Sequence, residues 1–225
     1  MILIQKLAEP DELLRYRKTK HSSYAAMPGD IKAVVKRSLV REQGGLCAYC
    51  MARLPEEGID EIGNSEVTIE HWEPQNPSDG SRGHNPLDYK NMLAVCDGNR
   101  GCGDERHMTC DAARGNTEIT VNPLKRETLV GISYGANGEI RSTNSKVNAD
   151  LCEVLNLNCE AVSLPYNRRY ALSGLQKSLN KKYPDKPIPK SELMRLLERY
   201  ERPSDRKPPY VGILIDWIRK RLSRA

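Results

Sequence analysis

Apolar residues recur at helical spacing toward both ends of this chain and lose their period in the middle. In GDIKAVVKRSLVREQ (29–43), Val34, Val35 and Leu39 fall on one helical face, with Asp30 as the expected N-cap and Gly44-Gly45 as the stop. From Cys47 to about Pro123, Gly, Pro, Asn and Asp interrupt every pattern, and only VTIE (67–70) reads as a strand. ETLVGISYGANGEIRST then predicts a hairpin turning at Asn137-Gly138. Helices are expected near 147–157, 163–180, 190–201 and 210–222. On the last, Val211, Leu214, Ile215, Ile218 and Leu222 form an apolar stripe, while Arg219, Lys220, Arg221 and Arg224 make its end basic. That stripe either packs on the chain's own helices or docks a partner, tethered by PSDRKPP (203–209). The chain divides into a helical extension (1–43), an irregular core (44–123) and a hairpin with helices (124–225).

Composition changes this picture in one respect. The 225 residues are 38% hydrophobic and 29% charged, with no phenylalanine and a net charge of +5, an ordinary globular balance compatible with nucleic acid but not specific to it. The apolar run at the N-terminus stops at Ile4, too short for a signal-peptide core, and no stretch suits a bilayer. A cytoplasmic protein without membrane contact is therefore expected. Under reducing conditions seven cysteines, an odd number, point to metal ligands rather than disulfides.

Cys47-Ala-Tyr-Cys50 has the spacing of a zinc knuckle, and Cys96, Cys102 and Cys110 follow. Four thiolates from these five complete a closed tetrahedral site, which a loop-rich segment needs as a staple. A redox pair is the weaker reading, because no βαβ pattern surrounds the knuckle. Cys47, Cys50, Cys96 and Cys110 are the expected set, with Cys102 or His107 as alternatives for the last place. Cys152 and Cys159 lie in a helical region and are expected as buried small residues.

Between the cysteines, the strand VTIE runs into Glu70-His71. A carboxylate binds a hard divalent cation, and a neighbouring imidazole accepts a proton from water near neutral pH. Hydrolysis of a phosphodiester needs both. Each residue also has an ordinary structural role open to it: Asn91 in a turn, Asp111 as an N-cap, Arg114 as a surface cation. Their order among the cysteines is what favours chemistry.

The order CAYC, IEHWEP, YKNMLAVC, CDAARG resembles the zinc-bound HNH endonucleases. Within that superfamily the chain looks most like the HNH proteins of Septu-type anti-phage systems, some of them retron-associated, through SLVREQGGLCAYC and LCEVLNLN (151–158) as well. The resemblance implies an α+β protein with a small ββα-metal core, a structural Zn²⁺ and a catalytic Mg²⁺ or similar cation. It implies His71 as general base, Glu70 and Asp111 as ligands of the catalytic cation, and Asn91 as the residue orienting the His71 ring or its loop. Arg114, where the family commonly has Lys, would contact a phosphate. Implied partners are nucleic acid (DNA favoured, tRNA or another RNA the alternative), an ATPase subunit, and in retron systems a reverse transcriptase and its DNA. The long segment between Cys96 and Cys110 departs from the family's compact spacing. A non-catalytic zinc module that binds nucleic acid, or a scaffold subunit, would share the cysteines without needing the Glu-His pair.

Overall fold

The computed structural model describes residues 1–55, 59–60, 66–77 and 83–224. Helices α1 (Asp11–Arg17) and α2 (Gly29–Glu42) come first. Proline 28 precedes α2 with no side-chain cap, so Asp30 lies inside the first turn rather than at the N-cap. Its charge there still complements the positive end of the helix dipole. Gly44 and Gly45, with φ of +69° and +71°, end the helix as expected. At Gly44 a Cβ would meet Lys207 Cγ at 2.7 Å, so close approach as well as backbone sign requires glycine.

Strands β1 (Val67–His71) and β2 (Met92–Cys96) pair antiparallel, from Val67 opposite Cys96 to His71 opposite Met92. Helix α3 (Cys110–Arg114) follows them in the chain, and α2 packs against both strands. The pattern did not announce β2. Its residues MLAVC are buried at four of five positions, so the strand shows no polar alternation.

The second half begins with α4 (Arg126–Leu129) and the hairpin of β3 (Ile132–Tyr134) and β4 (Ile140–Ser142), turning through Gly138. The helix expected over 147–157 is shorter and starts earlier. It comprises α5 (Ser145–Ala149), capped by Asn144, running into a π-helical turn over Asp150–Val154. The buried Asp150 carboxylate accepts from the amides of Thr120 and Val121, tying this turn to the end of the irregular segment. Helices α6 (Leu164–Lys182), α7 (Lys190–Glu201) and α8 (Val211–Leu222) complete the chain.

One core cluster draws residues from Met1 to Ile215, and a smaller one joins Leu179, Leu193, Leu196 and Ile218 between α6, α7 and α8. The α8 stripe belongs to these clusters: Val211, Leu214, Ile215 and Ile218 are buried and Leu222 is partly covered. The stripe is therefore core, and a partner-docking role for it is excluded. The segment before α8 is strapped across the cysteine knuckle. Lys207 N donates to Gly44 O at 2.9 Å, Tyr210 N donates to Met51 O at 2.9 Å, and Arg53 donates to Lys207 O. No helix among the described residues is long and apolar enough to cross a membrane.

Candidate metal centre and active site

The knuckle, β2 and α3 bring the sulfurs of Cys47, Cys50, Cys96 and Cys110 within 4.8 Å of one another. Three of the separations are 3.8 Å (Cys47–Cys110), 3.7 Å (Cys50–Cys96) and 3.7 Å (Cys96–Cys110). A tetrahedral ion with Zn–S bonds of 2.3 Å sets its sulfurs about 3.8 Å apart. The four thiolates thus fit a zinc ion in both chemistry and spacing. Their mutual hydrogen bonds separate their acidities. Burial opposes ionisation of Cys47, but hydrogen bonds from Cys110, Cys50 and Cys96 bring its thiol well below the ordinary range. Cys110 is pushed well above it, by the neighbouring sulfurs of Cys47, Cys50 and Cys96 and by burial.

Cys110 reaches the cluster through the fold-back of residues 97–109. Thr109 N donates to Gly98 O at 2.8 Å, where a Cβ on Gly98 would lie 2.3 Å from Thr109 O, and Cys110 N donates to Leu155 O at 2.9 Å. The two alternatives for the last place stand apart. Cys102 is exposed and its thiol donates to Asp104 O at 3.0 Å. The His107 side chain is 48% exposed, beside Asp104. Cys159 is buried and Cys152 half-buried, both outside the cluster.

Glu70 and His71 end β1, next to this centre. One Glu70 oxygen accepts from Tyr49 Oη at 2.8 Å and from the Arg114 guanidinium. The other accepts from His71 N at 3.1 Å, and Asp111, the second residue of α3, adds a like charge nearby. Burial, then the like charge of Asp111, push the Glu70 carboxyl up to about 8, against the pull of Arg114. Glu70 and Asp111 are the two carboxyls this site has to offer a hard cation.

The His71 ring is fixed at both nitrogens. Nε2 lies 2.9 Å from Pro86 O, which can only accept, so Nε2 carries the proton. Nδ1 then offers its lone pair and accepts from Gln75 Nε2 at 2.9 Å. Tyr24 sets its ring edge-on to the imidazole at 4.7 Å. Burial lowers the imidazole below its ordinary value, with the Pro86 bond and Asp111 acting the other way, so the ring is neutral at pH 7. Asn91 is buried and clamps the loop rather than the ring. Its Oδ1 accepts from Glu73 N at 2.7 Å, its Nδ2 donates to Glu73 O at 2.9 Å, and its own carbonyl accepts from Trp72 N at 3.0 Å.

Arg114 is not placed as expected for a phosphate contact. Its side chain is 1% exposed, and it donates to Thr117 O, Tyr49 Oη, Glu70 and Trp72 O, so it braces the site from within. Arg100 is an exposed cation beside the site: its guanidinium meets Asp111 at 2.8 Å with its own side chain 54% exposed. Sequence reasoning passed over Arg100, Tyr49, Gln75 and Tyr24. Tyr49 had one signal, an aromatic between two ligand cysteines. Gln75 had its position four residues after His71, and the other two had none.

No family model matches the chain. Over 90 residues it is 31% identical to an Escherichia coli protein named as a candidate HNH endonuclease of retron Ec83. The likeness is to an HNH nuclease. It covers 37% of this chain and 32% of the relative, so the chain spans about a third of the curated relative it matches. The relative's name supports a likeness to the HNH nuclease family over the matched part. The mixed α and β structure with small sheets and a four-cysteine cluster is consistent with it.

Proposed function

We propose that this protein is a metal-dependent HNH endonuclease, with β1, β2 and α3 as its ββα-metal core. The observation that carries the reading is a neutral His71 with a defined tautomer, one residue from a Glu70 carboxyl apposed to Asp111. Nδ1 of His71 takes a proton from the attacking water, which competes with the Gln75 amide for that lone pair. Pro86 O holds the ring in place and stabilises the imidazolium that forms. Glu70 and Asp111 would hold Mg²⁺ or a similar cation, which supplies charge neutralisation on the phosphate and the departing oxygen. Arg114 and Tyr49 keep Glu70 aimed, and Asn91 keeps the loop after His71 closed. Arg100, rather than Arg114, is the cation that meets the phosphate. Zn²⁺ on Cys47, Cys50, Cys96 and Cys110 is structural.

We take DNA as the favoured substrate, with tRNA or another RNA as the alternative, and a role in anti-phage defence as part of the proposal, with the retron in the relative's name as its support. Septu-type HNH proteins work with an ATPase, and retrons with a reverse transcriptase and its DNA. In this chain such partners would meet a surface other than the buried α8 stripe. The test is cleavage of plasmid DNA and of tRNA by the full chain, with and without Mg²⁺. Cleavage only with the divalent cation is expected; none with any divalent cation would leave a binding module. Cation binding itself should depend on pH. A proton on Glu70 competes with the metal, so affinity rises with pH and levels off above about 8. Calorimetry with Mn²⁺ reads this directly, and affinity unchanged from acid to alkaline pH would remove Glu70 from the ligand set.

A further inference from the structure

Helix α6 carries a feature the cleavage site does not use. Its 19 residues, LPYNRRYALSGLQKSLNKK, contain five Arg or Lys and no acid. At 3.6 residues per turn, Tyr166, Arg169, Tyr170, Ser173, Lys177 and Lys181 fall on one face. Tyr166 and Tyr170 are 57% and 71% exposed, two of the few large hydrophobic side chains left in solvent. Their rings lie near-parallel, centroids 6.4 Å apart and planes 23° from each other, with the Arg169 guanidinium 5.7 Å from the Tyr166 ring. Among the described residues no carboxylate pairs with Arg169, Lys177 or Lys181, whereas the neighbouring Lys182 is held by Glu192 at 3.0 Å. Among the described residues, Glu160 and Glu139, the latter paired with Arg141, stand where the helix begins, and Glu192 stands where it ends, against Lys182. The opposite side of the helix is committed: Arg168 is fully buried, donating to Gly138 O and Leu157 O.

We propose that the exposed face of α6 is a docking surface for single-stranded DNA. Exposed aromatic rings interleaved with unpaired cations hold unstacked bases by their faces and the phosphates by charge, a combination a duplex cannot use because its bases are stacked inside. From Tyr166 to Lys181 the stripe is about 22 Å long, room for a few nucleotides. Neither stacking on the tyrosine rings nor charge on the phosphates calls on a ribose 2′-hydroxyl, so a DNA strand satisfies the surface. The surface is distinct from the cleavage site, and its occupancy does not depend on the chain cutting what it binds.

The test is fluorescence anisotropy on the full chain carrying His71→Ala, in buffer without added divalent cation, so that binding is read whether or not the protein is a nuclease. The probe is oligo(dT) of about 12 nucleotides, compared with oligo(U) and a duplex of equal length. Tyr166→Ala with Tyr170→Ala should weaken oligo(dT) binding at least about tenfold, the loss of two stacking platforms. Lys177→Glu with Lys181→Glu should weaken it and flatten its salt dependence. All four side chains lie outside the core, so the fold stays intact, which circular dichroism confirms. Parent-like affinity in both double variants would overturn the proposal. So would tighter binding of the duplex, which would place affinity in backbone charge alone, or of oligo(U), which would make the occupant RNA.

Discussion

Exchange of Cys110 for serine is expected to leave a chain that does not reach this fold. Cys110 is fully buried, and its sulfur joins the knuckle and β2 to the first residue of α3. Apparent binding of a structural zinc contributes about 10–16 kcal/mol in small zinc domains. The whole stability of a domain is about 5–15 kcal/mol. Loss of one thiolate therefore removes a term as large as the net stability, and it leaves three thiols buried in a core. The parent should hold one tightly bound zinc by elemental analysis, and Cys110→Ser should lack both the metal and a cooperative melting transition. Cys102→Ser, at an exposed residue outside the cluster, should keep both. A normally folded, zinc-free Cys110→Ser chain would show that the cluster holds no structural metal.

Removal of the His71 imidazole should lower the cleavage rate by about 10²–10⁴, the usual loss with a general base. The ring is held by two hydrogen bonds, to Pro86 O and from Gln75, so the alanine variant also loses some local order in the loop after β1. Circular dichroism and zinc content should match the parent, separating chemistry from folding. A rate equal to the parent's would place the base elsewhere.

The sequence made the metal centre legible to three of its four ligands, because thiolates at knuckle spacing have few other uses. The choice among Cys102, His107 and Cys110 was not legible. Both cysteines sit in one glycine-rich run, and what separates them is a long-range bond, Cys110 N to Leu155 O, that no local pattern encodes. Strand β1 was readable and β2 was not, because burial on both faces erases alternation. Arg114 shows the same limit in the site. A cation near the end of a short helix looks solvent-facing, and only the packing of Tyr49 and Glu70 around it reveals a buried brace. The α8 stripe was legible as a helix face, but whether it met this chain or another depended on tertiary contacts.

The strap over the knuckle bears on the order of events during synthesis. Residues 44–53 emerge early, yet their cover is completed by Lys207 and Tyr210, with Arg53 and Lys207 154 positions apart. At about 5–20 residues per second, that is a delay of roughly 8–30 s. Cys96 and Cys110 are added within that interval, so the four cysteines are complete well before α8 and the strap are made. A ribosome that stalls before codon 207 would release the cysteine knuckle without its cover, a species exposed to thiol oxidation and proteolysis.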